Sequence, residues 1–303
     1  MKFDDSDSWA ILSEIEKSIK SKIDAVGTPL KDWDIQINFG IKTGFNDAFI
    51  IDSQTKDEIL SKCTSAYERV RTTEIIRPIL RGRDIKRYSY QYAGLYLIST
   101  FPAKGYDIDD YPAVKYYLLK FGIERLEQTG KEHIINGERV KARKKTSNKW
   151  YETQDSISYW DLLSQPKIIW GEISDKSKFC IDLHGRYVPE ATTFMLSGEN
   201  LIYLLAFLNC SVSEYLFSII GTTTGVGTVR WKKYKILELP VPKSIPNDLY
   251  SQLLEVCSQT IESSDNDSNE SKINSIIYQV YGLSEDEIEF IESKIYPSKH
   301  SSL

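Results

Sequence analysis

A one-sided apolar stripe marks the first segment of the chain. Apolar side chains recur at steps of three and four residues, at Trp9, Leu12, Ile15, Ile19 and Ile23. This spacing predicts an amphipathic helix over residues 8–25, with Ser8 or Asp7 as its N-cap. The Gly27-Thr28-Pro29 sequence that follows predicts the end of the helix.

The middle of the chain changes to the period of two that is typical of strands. Ile35, Ile37 and Phe39 alternate with polar neighbours and predict a strand. Further apolar or alternating runs predict strands at residues 48–51, 94–99, 167–170, 179–182 and 192–196. Residues 111–126 are predicted to be helical, because Pro112 suits the first turn of a helix.

Helical spacing returns in the last third of the chain. Residues 201–208, with Ser197 as a possible cap, and residues 215–220 predict two tandem helices. Polar residues such as Asn209 interrupt them, which favours a buried helix pair over a membrane span. Two more helices are predicted at residues 249–261 and 273–281. Ser284 and Glu287 form a capping box for a final helix.

These elements predict an α+β fold. We expect an N-terminal helix and linker at residues 1–29, a mixed β-sheet body at residues 30–243 and a helical tail at residues 244–303. A chain of 303 residues is long enough to bury a substantial core.

Charge is strongly segregated along the chain, although the formal net charge is only −5. Residues 1–34 carry a net −3 and residues 247–295 a net −9, whereas residues 35–246 carry a net +6. The average argues against a nucleic-acid partner, but the basic middle argues for one. The acidic, apolar-striped helices at both ends are predicted to be docking or solubility elements.

Three basic clusters lie in the middle of the chain. Residues 69–87 and residues 131–150 each carry a net +5, and a shorter cluster covers residues 230–235. Aromatic residues accompany the clusters, at Tyr88, Tyr90, Trp150, Tyr151, Trp231 and Tyr234. Lys and Arg make the phosphate contacts that dominate DNA affinity, and Arg also pairs with guanine. One basic run is commonly a solvated face, but three in one domain favour nucleic-acid binding.

Signals for other kinds of site are weak. The four cysteines are far apart and the three histidines show no metal-ligand spacing, so we expect reduced thiols, no metal site and a cytoplasmic protein. The chain contains neither a Walker-type loop nor a Gly-x-Ser-x-Gly motif. The glycine-rich residues 221–227 follow a predicted helix and predict a loop that lets the backbone approach a partner.

Two triplets match the end of a metal-nuclease site, Asp84-Ile85-Lys86 and Glu292-Ser293-Lys294. Such triplets often arise by chance, and Asp84 among arginines is more simply their ion-pair partner. The enzymatic alternative is a small metal-dependent nuclease that uses Asp84 and Lys86 with an upstream acid, Glu68 or Glu74.

Five segments form a series of motifs in fixed order. They are FGIKTGFNDAF at residues 39–49, IRPILRGRDIKRY at 76–88, PKIIW at 166–170, LLAFLNC at 204–210 and RWKKYKILELPVP at 230–242. Together they resemble the TaqI-like C-terminal specificity domain of adenine-specific DNA methyltransferases and type IIG restriction-modification enzymes. The resemblance covers residues 30–290 approximately. The Asn/Asp-Pro-Pro-Tyr/Phe motif of amino-methyltransferases is absent from the sequence.

The resemblance implies a domain that closes on DNA, reads the target through the major groove and helps to extrude the target adenine. It implies candidate DNA contacts at Arg81, Arg83, Lys86, Arg87, Arg230, Lys232 and Lys233. Possible backbone clamps are Thr222, Thr223 and Thr224. A mobile basic loop outside the family motifs adds Lys141, Arg143, Lys144 and Lys145. Gly40, Gly44 and Asn46 are expected to serve turns, and residues 204–209 core packing.

The expected function is therefore target recognition in a restriction-modification system, without catalytic residues in this chain. The expected partners are double-stranded DNA and a methyltransferase or endonuclease subunit or domain, with no membrane. S-adenosylmethionine or Mg²⁺ is expected only on that partner. Besides the nuclease, the alternative is a type I-like specificity subunit that acts mainly through protein partners.

Overall fold

The computed structural model describes residues 12–220, 222–223, 229–263 and 267–296. Trp9, the proposed caps Ser8 and Asp7, and Thr224 lie outside the described residues.

The described residues form helices and strands in an α+β arrangement, which confirms the predicted fold class. The helices are α1 (Glu14–Val26), α2 (Asn46–Phe49), α3 (Ser53–Ser61), α4 (Ala66–Ile75), α5 (Pro112–Leu119), α6 (Ile123–Leu126), α7 (Leu201–Asn209), α8 (Ser211–Ile220), α9 (Lys233–Ile236), α10 (Asn247–Glu262), α11 (Asp267–Tyr281) and α12 (Glu285–Ile295). The strands are β1 (Thr28–Pro29), β2 (Ile35–Phe39), β3 (Ile50–Asp52), β4 (Ile76–Leu80), β5 (Leu95–Ile98), β6 (Glu132–Ile135), β7 (Glu138–Lys141), β8 (Lys167–Gly171), β9 (Ile173–Ser174), β10 (Phe179–Asp182), β11 (Val188–Pro189), β12 (Thr193–Gly198), β13 (Thr222–Thr223), β14 (Val229–Arg230) and β15 (Pro240–Val241).

A four-stranded antiparallel sheet, the central sheet, has the order β10-β8-β12-β2. Its register places Phe194 opposite both Phe39 and Trp170, and Thr193 opposite Gly171. The strands β2 and β8 therefore finish where β12 begins. We call this the Phe39 end of the central sheet and define it by Phe39, Gly171 and Thr193.

Both faces of the central sheet are covered. Ile168, Phe194 and Leu196 join the core beneath the helices, whereas Ile169 and Met195 join a second core. Because successive side chains of a strand point to opposite faces, a strand covered on both sides is apolar throughout. This explains why residues 168–170 form a continuous apolar run directly after Lys167.

The second core lies on a second sheet of order β11-β4-β5-β3, in which β11 runs parallel to β4. The predicted strand at residues 48–51 is partly wrong, because Asn46–Phe49 forms the short helix α2 and only Ile50–Asp52 pairs as a strand. Ala48 and Phe49 are fully buried, so a local helical turn places two adjacent apolar side chains in the core.

The terminal helices pack on the same core as α7 and α8. Ile19 and Ile23 of α1 are fully buried there, together with Leu253 of α10 and Ile277 of α11. These apolar stripes are covered by the chain's own core, which removes the basis for predicting them as docking surfaces. The proposed domain limits at residues 29 and 243 remain a prediction.

Most other predicted helices are present with altered limits. Helix α1 begins at Glu14 behind a capping box formed by Ser13 and Glu16, so residues 12 and 13 of the predicted helix are not helical, while its predicted start at residue 8 lies outside the described residues. The helix predicted over residues 111–126 is divided at Gly122, whose φ is 79°. Asn200, rather than Ser197, occupies the N-cap of α7. The capping box of Ser284 and Glu287 is confirmed.

No single helix within the described residues is long and apolar enough to cross a membrane. Helices α7 and α8 would meet the length and composition criteria only together, and they are bent by 62° at their junction. Most of their described side chains are buried in the core.

Candidate nucleic-acid interface

The turn that carries Arg81 and Arg83 rests on the Phe39 end of the central sheet. After β4, Gly82–Asp84 forms a short 3-10 helix. A Cβ on Gly171 would lie 3.3 Å from the Cα of Gly82, so glycine at position 171 allows the two backbones to approach closely. The turn after β4 is thereby fixed against the last residue of β8.

Arg81 is paired within this turn. Its Nε lies 3.0 Å from Asp84 Oδ2 and its Nη2 2.8 Å from Asp84 Oδ1, and its backbone N–H also donates to Oδ2. Burial raises the pKa of Asp84, but the hydrogen bonds from Arg81 outweigh it and hold that pKa below its ordinary value. Asp84 is therefore an ionised partner of Arg81, as the simpler interpretation of the sequence predicted.

Arg83 and Lys86 differ from Arg81. Both side chains are exposed, and neither makes a hydrogen bond or ion pair with another described residue. They are therefore available to bind an anion, whereas the guanidinium of Arg81 is largely committed to Asp84.

Arg230 reaches the same end of the sheet through Glu172, which directly follows Gly171. Strand β14 pairs with β9, the backbone N–H of Trp231 donates to the Glu172 carbonyl at 2.7 Å, and Arg230 Nη1 lies 2.9 Å from Glu172 Oε1. The side chain of Arg230 is still 40% exposed, so one face of it remains open to a ligand.

The two lysines after Trp231 have different surroundings. Lys233 Nζ donates to the Ile37 carbonyl at 2.7 Å, which fastens the start of α9 to strand β2. Lys232 is half-buried and makes no side-chain hydrogen bond to a described residue. Of the two, Lys232 is the better candidate for a phosphate contact.

Two of the three threonines proposed as clamps lie in a strand that pairs with Arg230 and its neighbour. Strand β13 places Thr222 opposite Arg230 and Thr223 opposite Val229. Thr224 lies outside the described residues, and the prediction that these residues clamp DNA stays a prediction.

Arg143 is buried and is therefore removed from the candidate DNA contacts. Its side chain is 2% exposed and donates to four carbonyl oxygens, of Leu126, Thr43, Glu152 and Trp150, over 2.5–2.8 Å. Burial lowers its pKa to about 10, so the guanidinium stays charged at neutral pH. The description of residues 141–145 as a mobile loop needs correction, since Arg143 fastens this segment to the core.

The other basic residues of this segment point outward. Lys141, Lys144 and Lys145 are exposed and have no side-chain partner among the described residues. Because Arg143 binds the Thr43 carbonyl, four residues beyond Phe39, the segment is held near the Phe39 end of the sheet. An open depression of about 510 Å³ lies at the junction, lined by Phe39, Lys42, Tyr159 and residues 146–148 and 154–157.

Arg87 is also removed from the candidate contacts, although it belongs to the same motif as Arg83. It donates to the carbonyls of Ser177 and Asn209 and pairs with Glu270 of α11 at 2.8 Å and with Glu214 of α8 at 3.4 Å. Its side chain is 16% exposed. Arg87 therefore joins the sheet body to the helices.

The aromatic residues beside the basic clusters are largely core residues. Tyr88, Tyr151 and Trp231 are buried, and Trp231 stacks on Phe217 with ring centroids 4.0 Å apart. Among these, only the exposed ring of Tyr234 has more than half of its surface open to solvent. A general role in base stacking is therefore not supported for this set.

The turn residues behave as expected from the sequence. A Cβ on Gly40 would lie 1.9 Å from the Glu190 carbonyl oxygen, and Gly44 has a φ of 77°. Asn46 accepts a hydrogen bond from the Thr43 hydroxyl at 2.6 Å. These residues shape the loop after β2, and the residues of α7 are core, as predicted.

The alternative nuclease site is not assembled. Glu68 is buried and accepts hydrogen bonds from the backbone N–H groups of Thr64 and Ala113, so it caps local structure. Both oxygens of Asp84 face Arg81. Over the part of the chain that the structure describes, no group of three or more His, Cys, Asp or Glu residues is arranged to hold a metal ion.

One surface element was missed by the sequence analysis. Strands β6 and β7 form a hairpin whose two turn residues, Asn136 and Gly137, have φ values of 52° and 87°. An Asn-Gly pair between two short strands is the typical signal for this turn. The charge of residues 131–150 was recognised, but the hairpin that displays part of it was not.

The chain belongs to the family of TaqI-like C-terminal specificity domains, whose model matches residues 77–241. This confirms the resemblance drawn from the motifs and the association with restriction-modification systems.

Curated relatives agree with the family. The type II methyltransferase M.BstVI of Geobacillus stearothermophilus is 25% identical over 301 residues, which are 97% of this chain and 47% of the relative. The type II methyltransferase M.PaeR7I of Pseudomonas aeruginosa is 22% identical over 93% of this chain and 44% of its own length. The chain therefore spans about half the length of these relatives.

Solved structures show the same fold in larger proteins. The type IIL restriction-modification enzyme MmeI, solved in complex with DNA, is similar in structure with a TM-score of 0.55 and 11% sequence identity. The match covers 89% of this chain and 36% of the MmeI chain. The type IIG restriction endonuclease BpuSI is similar with a TM-score of 0.50 and 11% sequence identity. That match covers 89% of this chain and 34% of the BpuSI chain.

Proposed function

We propose that this chain binds double-stranded DNA sequence-specifically, as the target recognition module of a restriction-modification system of the adenine-specific methyltransferase or type IIG type. The observation that carries the proposal is the convergence of basic segments from three parts of the chain on the Phe39 end of the central sheet. The links are the Gly82–Gly171 contact, the Arg230–Glu172 pair and the Arg143–Thr43 hydrogen bond.

The side chains available on this surface suit a polyanion. Arg83, Lys86, Lys144, Lys145 and Lys232 have no side-chain hydrogen bond or ion pair with described residues. Two acidic residues near them are already paired, since Asp84 binds Arg81 and Glu172 binds Arg230. Unpaired cations at one end of a rigid sheet are suited to phosphate contacts, which release counterions and make binding depend steeply on salt.

The catalytic step is assigned to a partner. Methyl transfer or cleavage would be carried out by a methyltransferase or endonuclease subunit or domain, which would also bind S-adenosylmethionine or Mg²⁺. This assignment is supported by the relatives, which are type II methyltransferases about twice as long as the aligned region.

Titration of a fluorescent duplex with the 303-residue chain tests the proposal. We expect saturable binding at 50 mM salt that weakens by orders of magnitude at 200 mM. A duplex pool with a randomised centre should yield an enriched sequence after repeated selection. Absence of duplex binding at low salt would contradict the proposal and favour a subunit that acts mainly through protein partners.

A matched lysine variant controls for charge. Lys272→Ala removes an exposed lysine of α11, on the acidic helical part of the chain. It should bind the duplex as the wild type does, whereas Lys144→Ala combined with Lys145→Ala should bind every duplex more weakly.

A further inference from the structure

The β6–β7 hairpin is an exposed two-stranded ribbon with two unlike faces. Its register pairs Ile134 with Arg139 and Glu132 with Lys141 on one face, and His133 with Val140 on the other. All four side chains of the first face are exposed, whereas on the second face His133, Ile135 and Val140 are half-buried and Glu138, paired with Ile135 beside the turn, is exposed. One face therefore rests towards the protein and the Ile134–Arg139 face is directed outward.

Ile134 is the notable residue of the outward face. Its side chain is 78% exposed, more than any other large apolar side chain among the described residues. A single exposed isoleucine is common on protein surfaces and by itself needs no explanation. Here it lies directly opposite Arg139, whose side chain makes no hydrogen bond or ion pair with another described residue, at the centre of a basic segment.

The base of the ribbon is held rigidly. The N–H of Ala142 donates to the Lys131 carbonyl at 2.9 Å and the N–H of Gly130 to the Arg143 carbonyl at 2.8 Å. Arg125 Nη1 donates to the Lys141 carbonyl at 2.7 Å. Two residues beyond Lys141, the buried side chain of Arg143 donates to the Leu126 carbonyl. The two-residue Asn136-Gly137 turn closes the other end. The ribbon therefore presents its outer face in a defined position.

We propose that this ribbon enters the major groove of DNA and that Ile134 and Arg139 contact base edges there. The inference rests on the proposed DNA-binding function and deepens it by assigning residues to base recognition. The major groove admits a two-stranded β-ribbon. Arg can bind guanine O6 and N7 through two hydrogen bonds, and an apolar side chain can contact the methyl group of thymine.

The charge around the ribbon favours DNA over another protein strand. Lys131, Lys141, Lys144 and Lys145 are exposed around its base and outnumber the two acids, Glu132 and Glu138, on the ribbon. Charged side chains along a sheet edge oppose the addition of another strand. The same lysines can contact phosphates on either side of a groove that holds the ribbon.

Selection from a duplex library with a randomised centre tests the assignment on the full 303-residue chain. The variants are Arg139→Ala and Ile134→Ala, and the control is Arg186→Ala, which alters an exposed arginine between β10 and β11. For Arg139→Ala we expect one position of the selected sequence to lose its preference for a G·C pair. Discrimination against the wrong pair there should fall roughly tenfold to a hundredfold. Ile134→Ala should relax an adjacent position.

The outcomes separate the two proposals. If the wild type selects a sequence and both variants select it with unchanged discrimination, the ribbon assignment is wrong while the proposed function stands. If the wild type binds no duplex, both the proposed DNA-binding function and the ribbon assignment are wrong. If either variant instead converts a dimer into a monomer in size-exclusion chromatography without changing the selected sequence, the ribbon binds a second chain and the assignment is overturned. Unchanged melting temperatures show that the variants are folded.

Discussion

The Nη1 of Arg143 donates a hydrogen bond of 2.8 Å to the carbonyl oxygen of Thr43. Thr43 lies in the glycine-containing loop that follows β2, and Arg143 lies in the basic segment that follows the β6–β7 hairpin. One buried guanidinium thus connects the loop after β2 to the basic segment after the hairpin. The exposed lysines on either side of Arg143 owe their position to this connection.

Arg143→Ala should therefore unfold more easily than the wild type. The change removes the Arg143 donor from four carbonyl groups, of which that of Glu152 keeps a second donor in Gln128 Nε2, and it opens a cavity. We expect a loss of about 3 kcal/mol or more in the free energy of unfolding. Urea denaturation measures this loss, and hydrogen exchange should show faster opening of residues 127–149 than of the central sheet.

Lys144→Ala is the matched control for that variant. Lys144 is the exposed neighbour of Arg143 and has no side-chain partner among described residues, so its loss should change the unfolding free energy by less than about 0.5 kcal/mol. An Arg143→Ala protein as stable as Lys144→Ala would show that Arg143 does not anchor the segment.

Gly40→Ala should be strongly destabilising. Its Cβ would lie 1.9 Å from the Glu190 carbonyl oxygen and 2.8 Å from Thr193 Oγ1, so the backbone at the Phe39 end of the sheet would have to move. We expect a cost of about 2–3 kcal/mol. Gly82→Ala is the comparison, since its Cβ would meet Thr192 Oγ1 at an ordinary 3.4 Å. Equal melting temperatures for the two variants would contradict the close approach at Gly40.

Glu287 should make stability depend on pH in the acidic range. It accepts hydrogen bonds from Ser18 and Lys22 of α1, and its side chain is 5% exposed. Burial raises the pKa of Glu287, but these bonds and the Ser284 N–H lower it to about 2, against an ordinary value of 4.5. A depressed pKa stabilises the fold above pH 4.5, and this stabilisation is lost as the pH falls towards 2.

Glu287→Gln should consequently lose about 2 kcal/mol of unfolding free energy at pH 7. The difference from the wild type should shrink as the pH is lowered from 4.5 to 2. Glu285→Gln, on the exposed side of the same first helical turn, serves as the control. Denaturation curves at pH 7 and pH 3 measure both variants, and a difference independent of pH would refute this role of Glu287.

The sequence predicts the helices and strands of this protein better than it predicts which charged side chains are exposed and which are buried. The strands of the central sheet were predicted because strict alternation or continuous apolar runs are local signals. Arg83 and Arg87 lie in one motif, yet Arg83 is exposed while Arg87 is held by Glu214 and Glu270, more than a hundred residues further along the chain. Burial of a charge depends on partners that only the fold brings together.

Local signals can also mislead or be overlooked. Residues 48–51 have the composition of a strand, but helix α2 continues to Phe49 because a turn buries Ala48 and Phe49 together. The Asn136-Gly137 pair is a clear hairpin signal that the surrounding charges obscured. The position of Arg143 had no local signal, since its acceptors are backbone carbonyls from three separate segments.

If basic side chains from separate segments form one DNA-binding surface, as we claim, the salt dependence of duplex binding should depend on all of them together. The slope of log K against log salt changes by about 0.9 for each phosphate contact. Replacing Arg83, Lys86, Lys144 and Lys145 together by Ala should lower the slope by about three to four, while Lys272→Ala should leave it unchanged. A quadruple variant with the wild-type slope would contradict the claim.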